Sequence, residues 1–211
     1  MTPRDLEEAP LWWQECWADL GVAAPADELA RVLAAWSEPG RHYHDLRHLR
    51  ECLQRWQAWR SLAQRPGEVG LALWYHDIVY DPKASDNERR SADRAAAVMR
   101  AHGAPPEAAD RVHELVMATC HDAPAHTPDA QLLVDIDLAV LGATPARFDE
   151  YDRDVRAEYG WVPEAVYRER RAEVLAQFLQ RDRLYHSAPA FDALEQAARA
   201  NLAAAIARLR G

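Results

Sequence analysis

The sequence predicts an all-α fold, a single-domain helical bundle, and three observations favour it. Ala, Leu, Arg and Glu dominate long segments that Pro and Gly separate, while the β-branched alternation typical of strands is nearly absent. Hydrophobic residues make up 49 % of the 211 residues, enough for a sizeable core. No repeat, low-complexity tract or long linker divides the chain. We therefore expect one domain over residues 1–211, with residues 1–37 as its N-terminal helical part.

Apolar periodicity and helix-breaking residues set the expected helices. Ser85 followed by Glu88 has the spacing of a capping box and predicts the start of the fifth helix. The tryptophans are expected to pack at helical spacing, although Trp12, Trp13 and Trp17 could instead cover a contact in a homodimer. Breaks are expected at Pro39-Gly40, Pro66-Gly67, Pro105-Pro106 and Gly160. The pattern predicts ten helices, at residues 4–20, 26–37, 43–63, 68–80, 86–102, 106–120, 129–141, 145–159, 164–180 and 189–210.

Charge and cysteine content argue against several classes of protein. The formal net charge is −9 and no basic tract offsets it, which argues against binding to a nucleic-acid polymer. No apolar run approaches the ~20 residues needed to cross a bilayer, and the N-terminus lacks the order of a signal peptide. The three cysteines, Cys16, Cys52 and Cys120, are widely spaced and form no CxxC pair. We therefore expect a cytoplasmic protein without membrane contact.

Two of the predicted helices are apolar on nearly every side and yet carry carboxylates. They are LALWYHDIVY (71–80), with His76 and Asp77, and LLVDIDLAVL (132–141), with Asp135 and Asp137. A helix that is apolar all round belongs in the middle of a bundle. A carboxylate buried there without a partner costs several kcal/mol, so a bound cation or an Arg must compensate it. The pattern predicts a functional site.

The spacing of the polar residues selects those that can share this site. His44 and His48 stand four residues apart, on one face of a helix. Asp137 lies one turn from both Leu133 and Leu141 and points where they point. Asp135 lies about 200° around the helix from Asp137, at ~100° per residue, so one face offers only one of the two. We expect Asp137 to be the one that the site uses.

The order of these motifs, a His, then a His-Asp pair, then a distant Asp followed by Leu, resembles the signature of the HD superfamily. Members are helical proteins whose motifs gather on neighbouring helices around one or two divalent metal ions. The resemblance implies an HD-type domain whose metal ligands are His48, His76, Asp77 and Asp137. It also places Asp77 among the catalytic residues.

The segment YHDLRHL is similar to the Y-H-N-x-x-H stretch of cyclic-nucleotide phosphodiesterases. In that stretch the first His protonates the leaving oxygen and the second binds metal. By position, the resemblance implies that His44 is the general acid and His48 a ligand, although Asp45 stands where the stretch has Asn. The alternative is that His44 only hydrogen-bonds to the ligands and orients them.

A closer resemblance is to a bacterial group of predicted HD phosphohydrolases. It covers roughly residues 40–205 and rests on HDIVYDPKASDNERRSA (76–92), VDIDLAVLG (134–142), VRAEYGWVP (155–163) and RAEVLAQFL (171–179). Two imidazoles and two carboxylates accept Mn, Fe, Zn, Ni or Co more readily than Mg or Ca. We expect a metal-dependent phosphohydrolase, a phosphomonoesterase or phosphodiesterase, acting on a small phosphorylated metabolite. A nucleotide is the expected class by family analogy.

Three further residues are candidates for substrate contact. His121, at the end of ELVMATCH, could touch a phosphate or add a ligand, or it could stand there because the helix dipole favours it. Arg171 occupies an inward position of VYRERRAEVLAQFL and would hold a phosphate, or a carboxylate such as Glu158 or Glu88. Glu88 could contact substrate or a metal-bound water, or it could cap its helix.

Several functions compete with the leading one. Within the hydrolases, the candidates are a nucleoside monophosphate phosphatase, a cyclic-nucleotide phosphodiesterase and an alarmone hydrolase, although Tyr80-Asp81 does not reproduce the acidic pair of the last. The alternative from another class is a non-catalytic metal- or nucleotide-binding signalling module with an HD fold. Retention of every metal residue argues against it. An HD-fold oxygenase would need further ligands, for which His121 is the obvious candidate.

Overall fold

The computed structural model describes residues 8–121 and 123–211, and every regular element within these residues is helical. This confirms the predicted all-α class. The predicted first helix also takes in residues 4–7, which lie outside the described residues. None of the described helices is long and apolar enough to cross a membrane. The α-helices of this part of the chain are α1 (Ala9–Ala18), α2 (Ala26–Trp36), α3 (Leu46–Trp59), α4 (Pro66–Tyr75), α5 (Asn87–Ala101), α6 (Pro106–Met117), α7 (Pro128–Asp137), α8 (Pro145–Glu158), α9 (Glu164–Leu179) and α10 (Ala188–Arg210).

The chain divides into two compact units, of which the first ends at Val134 and the second comprises Asp135–Gly211. The central helix of the first unit is α4, which packs against α1, α3, α5 and α6. Every residue from Gly67 to Tyr75 is buried, which explains why this helix is apolar all round. Gly70 lets α1 and α3 approach, because a Cβ there would overlap Cys16 Sγ and the Trp56 ring.

Tryptophans fill the core of the first unit beside α4. Trp13 contacts Trp17 and Trp74 edge-on, with ring centroids 5.6 and 5.4 Å apart. Trp12, Trp13 and Trp17 are only 7 %, 1 % and 0 % exposed. These three tryptophans therefore pack in the core of the unit, as the helical spacing predicted. The homodimer stays a prediction.

The second unit is built around α10. This helix packs against α9 and against a short 3-10 segment, Leu138–Gly142, that continues α7. Asn201, buried on α10, donates to the carbonyl oxygens of Leu141 and Ala143, both at 2.9 Å. These bonds satisfy backbone acceptors that the irregular end of the segment would otherwise leave buried.

The α4 helix ends five residues earlier than the apolar pattern predicted, at Tyr75 instead of residue 80. Pro82 would stop a helix only at about residue 81, so it does not explain the earlier end. The chain instead turns after Tyr75, where the Ile78 N–H donates to the Tyr75 carbonyl at 3.0 Å and Arg41 donates to the carbonyl oxygens of Asp77 and Ile78. The apolar residues 78–80 therefore continue the pattern but not the helix.

Other predicted boundaries also differ from the structure. The helix expected over residues 43–63 is α3, Leu46–Trp59, so His44 precedes it and the prediction that His44 and His48 share one face of a helix is wrong. The expected helix 129–141 stops at Asp137 and tightens into the 3-10 segment described above. The capping box predicted at Ser85 and Glu88 is wrong, because the N-cap of α5 is Asp86 and no side chain caps it there. Asn87 instead holds the preceding loop by exchanging two hydrogen bonds with the backbone of Asp81.

Candidate metal centre

His48 stands in the first turn of α3, and Asp45 fixes that turn. As the N-cap residue, Asp45 accepts hydrogen bonds from the backbone N–H of Arg47 at 2.8 Å and of His48 at 3.2 Å. The aspartate that departs from the phosphodiesterase pattern thus has a capping role. Because the turn is fixed, the His48 imidazole, which is only 2 % exposed, is held in a defined place.

His76 is the C-cap residue of α4, and Asp77 follows it outside the helix. The prediction that both lie on the helix is therefore wrong. Arg41 holds the turn that they form, donating to the carbonyl oxygens of Asp77 at 2.7 Å and Ile78 at 3.0 Å. Arg41 also donates to the carbonyl of His44 at 3.1 Å. The same guanidinium thus joins the two segments that carry candidate site residues.

Arg41 could not be predicted from the sequence, because its partners include backbone carbonyls of a segment distant in the chain. Its side chain is 3 % exposed, and its guanidinium also packs over the Trp36 ring at 5.6 Å and the Tyr80 ring at 5.4 Å. An Arg buried in this way restrains the backbone on which Asp77 stands.

Three ligand-type atoms of the first unit converge on one point. His48 Nε2 and His76 Nε2 are 3.1 Å apart. Asp77 Oδ2 lies 3.0 Å from His76 Nε2 and 3.9 Å from His48 Nε2. Two nitrogen ligands at ~2.0 Å from one tetrahedral metal would be roughly 3.3 Å apart. The two nitrogens are therefore close to the separation that one bound ion requires, and the Asp77 oxygen lies within reach of the same ion.

A hydrogen bond fixes which nitrogen of His76 faces this point. His76 Nδ1 lies 2.8 Å from the carbonyl oxygen of Leu73, which can only accept, so Nδ1 carries the proton. In the neutral ring, Nε2 then presents its lone pair to His48 and to the Asp77 carboxylate. A lone pair beside a carboxylate is an arrangement that attracts a cation. A backbone carbonyl behind a ligating His is the usual arrangement at metal sites.

Trp36 forms the apolar wall of the site. It is fully buried, its Nε1 donates to the carbonyl of Trp74 at 3.0 Å, and its ring centroid lies 5.3 Å from His76 and 6.1 Å from His48. Such a wall excludes water from one side of the imidazoles and strengthens electrostatic interactions there.

Cys52 also lies at this site, although it was not predicted from the sequence. Its Sγ is 3.7 Å from His48 Nδ1 and 3.8 Å from His48 Nε2. One ligand atom from each of His48, Cys52 and His76 lies within 4.8 Å of the others, close enough to bind one metal ion. The available signal was the spacing of four residues from His48 on α3, the same spacing that singled out His44.

The two aspartates of the third motif differ in their surroundings within the second unit. Asp137 is the half-buried last residue of α7. Asp135 is fully buried, and its carboxylate accepts from the backbone N–H of His186 at 2.8 Å and of Ser187 at 2.7 Å, just before α10. Burial raises the pKa of Asp135, and these two N–H groups oppose the rise. Both oxygens of Asp135 are thus engaged with the backbone of its own unit.

His44, the candidate general acid, is half-buried between aromatic rings. It stacks on Tyr80 at 4.3 Å between centroids and meets Tyr43 edge-on at 4.8 Å. Its ring centroid lies 6.0 Å from that of His48. The His44 ring is therefore held beside the proposed ligand in a fixed orientation.

Arg171 lies on α9 in the second unit, with a side chain 10 % exposed. Its Nε is 3.4 Å from Asp152 Oδ1, and its guanidinium lies 5.0 Å over the Tyr151 ring. Burial alone would lower the pKa of Arg171, but Tyr151, Tyr167 and Asp152 raise it above its ordinary value. The partner that the structure gives Arg171 is Asp152, whereas the sequence analysis considered Glu158 or Glu88.

The remaining candidates, His121 and Glu88, lie on two other segments of the first unit. His121 follows the 3-10 turn Ala118–Cys120 after α6 and has a left-handed backbone, φ 57°. Among the described residues, it is the one non-glycine residue with positive φ, a conformation that His tolerates better than most. Glu88 is half-buried in the first turn of α5, where a negative charge suits the helix dipole.

The chain matches no protein-family model, and no curated protein or solved structure matches it significantly. The motif resemblance and the side-chain geometry therefore carry the functional argument.

Proposed function

We propose that this chain is a metal-dependent phosphohydrolase with an HD-type site, acting on a phosphoester of a small phosphorylated metabolite, with nucleotides as the expected class. The observation that carries the proposal is the convergence of His48 Nε2, His76 Nε2 and Asp77 Oδ2 in a site walled by Trp36. Two imidazoles and a carboxylate around one point have the donor chemistry of a divalent transition-metal site.

Asp137 is proposed as the further carboxylate ligand. It ends α7 after the apolar residues 132–134, and its neighbour Asp135 is already engaged with the backbone before α10. Two neutral imidazoles and two carboxylates would leave a dication electrically neutral overall. Such a set favours Mn, Fe, Zn, Ni or Co over Mg.

A bound metal would supply a nucleophilic hydroxide near neutral pH and would neutralise charge on the phosphoryl oxygens. The chain's own residues then have separate roles. Arg41 donates to the backbone carbonyl of Asp77 and so restrains this residue. The Asp77 carboxylate would position the metal for the reaction. His44 donates a proton to the leaving alkoxide, and stacking on Tyr80 holds its ring for this role. His121 and Glu88 are the candidates for contact with the rest of the substrate.

Arg171 is assigned a structural role in this proposal. Its guanidinium already faces Asp152 and Tyr151, and a buried Arg without such partners would be costly. Contact with a substrate phosphate is the alternative. Arg171→Lys separates the two, because it keeps the charge but loses the bidentate fork. Weaker catalysis with an unchanged melting temperature would show contact with phosphate.

Metal content tests the proposed ligands. His48→Ala, His76→Ala, Asp77→Ala and Asp137→Ala should each lose bound metal after loading with Mn²⁺ or Zn²⁺ and gel filtration, as measured by elemental analysis. His113→Ala is the matched control, since His113 lies on α6 of the first unit and pairs with exposed Asp93. Circular dichroism checks that each variant is folded. Wild-type metal content in Asp77→Ala would refute the assignment.

Turnover tests the reaction itself. Wild type loaded with Mn²⁺ should release phosphate from p-nitrophenyl phosphate or from a member of a nucleotide panel. A metal-loaded protein that hydrolyses no phosphoester would instead favour the non-catalytic binding module.

A further inference from the structure

Cys52 stands one helical turn after His48 on α3 and is 2 % exposed. Its sulfur lies nearly equidistant from the two ring nitrogens of His48, at 3.7 and 3.8 Å. The ring nitrogens of a proposed metal ligand thus lie beside this sulfur. None of the four residues that the motifs selected is a cysteine.

A buried cysteine often serves only as a small apolar side chain. Cys16, in the same unit, is of that kind. It is fully buried where α1 crosses Gly70 of α4, and burial raises the pKa of its thiol far above the usual range. Cys52 differs because its sulfur, one ring nitrogen of His48 and one ring nitrogen of His76 lie within 4.8 Å of one another. The two cysteines therefore provide a matched comparison within one protein.

The distances suit a shared ion. A tetrahedral metal with a sulfur at ~2.3 Å and a nitrogen at ~2.0 Å holds those two atoms roughly 3.6 Å apart. The Cys52 Sγ to His48 Nε2 distance is 3.8 Å, and the two imidazole nitrogens are 3.1 Å apart. Rotation of the Cys52 side chain toward Nε2 would bring its sulfur to coordination distance from the same ion.

We propose that Cys52 is a direct ligand of the metal held by His48 and His76, and that its thiolate makes the site select Zn²⁺ or Co²⁺ over Mn²⁺ and Mg²⁺. The thiol proton passes to solvent when the metal–sulfur bond forms. A soft thiolate in place of a purely N/O ligand set favours thiophilic metals. This inference rests on the proposed metal centre, but it concerns metal identity and not the reaction.

Cobalt spectroscopy tests the proposal with the full-length protein and the metal alone. Wild type titrated anaerobically with Co²⁺ should show thiolate-to-cobalt charge transfer in the near ultraviolet. Cys52→Ser should lose this band and still bind Co²⁺, while Cys16→Ser and Cys120→Ser should keep it. In competition with a chelator, the ratio of Zn²⁺ to Mn²⁺ affinity should fall roughly tenfold or more in Cys52→Ser.

X-ray absorption on zinc-loaded wild type needs no variant and covers the case in which Cys52→Ser fails to fold. It should show one sulfur at ~2.3 Å. Zinc bound with only nitrogen and oxygen neighbours would overturn the role of Cys52 and leave the metal centre standing. Wild type that binds neither Co²⁺ nor Zn²⁺ would overturn the metal centre itself, and the Cys52 proposal with it.

Discussion

At the scale of single residues, the geometry of the candidate site depends on the groups that hold the candidate ligands in place. The Leu73 carbonyl sets the tautomer of His76, the Asp45 carboxylate sets the turn that carries His48, and Arg41 restrains the backbone of Asp77. Each of these bonds joins a side chain to backbone. The ring positions are therefore fixed by the fold before any ion binds, which reduces the free energy that binding must spend on ordering.

The role of His44 can be separated from metal binding by the choice of substrate. His44→Ala should lower kcat by roughly 10²–10⁴-fold on an alkyl phosphate while metal stays bound, since loss of a general acid has that magnitude. The fold loss in kcat should be smaller on p-nitrophenyl phosphate, because its leaving group needs little protonation. Steady-state kinetics on both substrates, with metal content measured in parallel, provides the comparison. An equal loss on both would instead mean that His44 only orients the ligands.

At the scale of helices, sequence periodicity located the ten described α-helices but not the ends of those that carry the site. The apolar pattern runs on past Tyr75 and past Asp137, because residues in a turn or a 3-10 segment can be as buried as residues in a helix. Pro82 predicts only that the helix stops by residue 81, and the earlier end at Tyr75 had no such signal in the sequence. Cys52 and Arg41 were not singled out, because their roles depend on which segments meet in three dimensions.

Asp135 joins two elements of the second unit, since the end of α7 holds the backbone just before α10. Asp135→Asn keeps one acceptor oxygen for two N–H donors, so it should destabilise the protein by about 1–3 kcal/mol. The folded-state pKa of Asp135 is raised above the ordinary 3.8, so the folded state binds the proton more tightly. Wild-type stability should therefore fall as pH rises from 3.8 through the folded pKa. Asp135→Asn lacks this pH dependence because Asn does not titrate.

Urea unfolding of wild type and Asp135→Asn at about pH 4 and about pH 6 measures how their difference in stability depends on pH. The stability advantage of wild type over Asp135→Asn should be smaller at the higher pH. Asp192→Asn, an exposed position in the first turns of α10, is the surface control and should change little at either pH. A wild-type advantage that grows with pH would show that the two N–H donors outweigh burial.

At the scale of the whole molecule, the protein consists of two compact units. His48, His76 and Asp77, whose ligand-type atoms lie close together, all belong to the first unit. Asp77 follows α4, in which every residue from Gly67 to Tyr75 is buried, and the imidazoles of His48 and His76 are buried beside it. A cation held there would offset the cost of removing these groups from water. The folded protein is therefore expected to be less stable without metal and to become more stable when a metal binds.

Thermal unfolding with and without metal tests this expectation. A metal that binds only the folded state stabilises it by about 2.7 kcal/mol when its free concentration is 100 times Kd. For a chain of this length, each kcal/mol raises Tm by roughly 2–4 °C, so Zn²⁺ should raise the Tm of wild type by roughly 5–10 °C. Calorimetry on His76→Ala should show almost no shift, and Asp137→Ala should lose a large part of it. If His76→Ala shifted as much as wild type, the metal would be binding elsewhere. A full shift in Asp137→Ala would confine the ligands to the first unit, because its three converging atoms would then suffice to hold the ion.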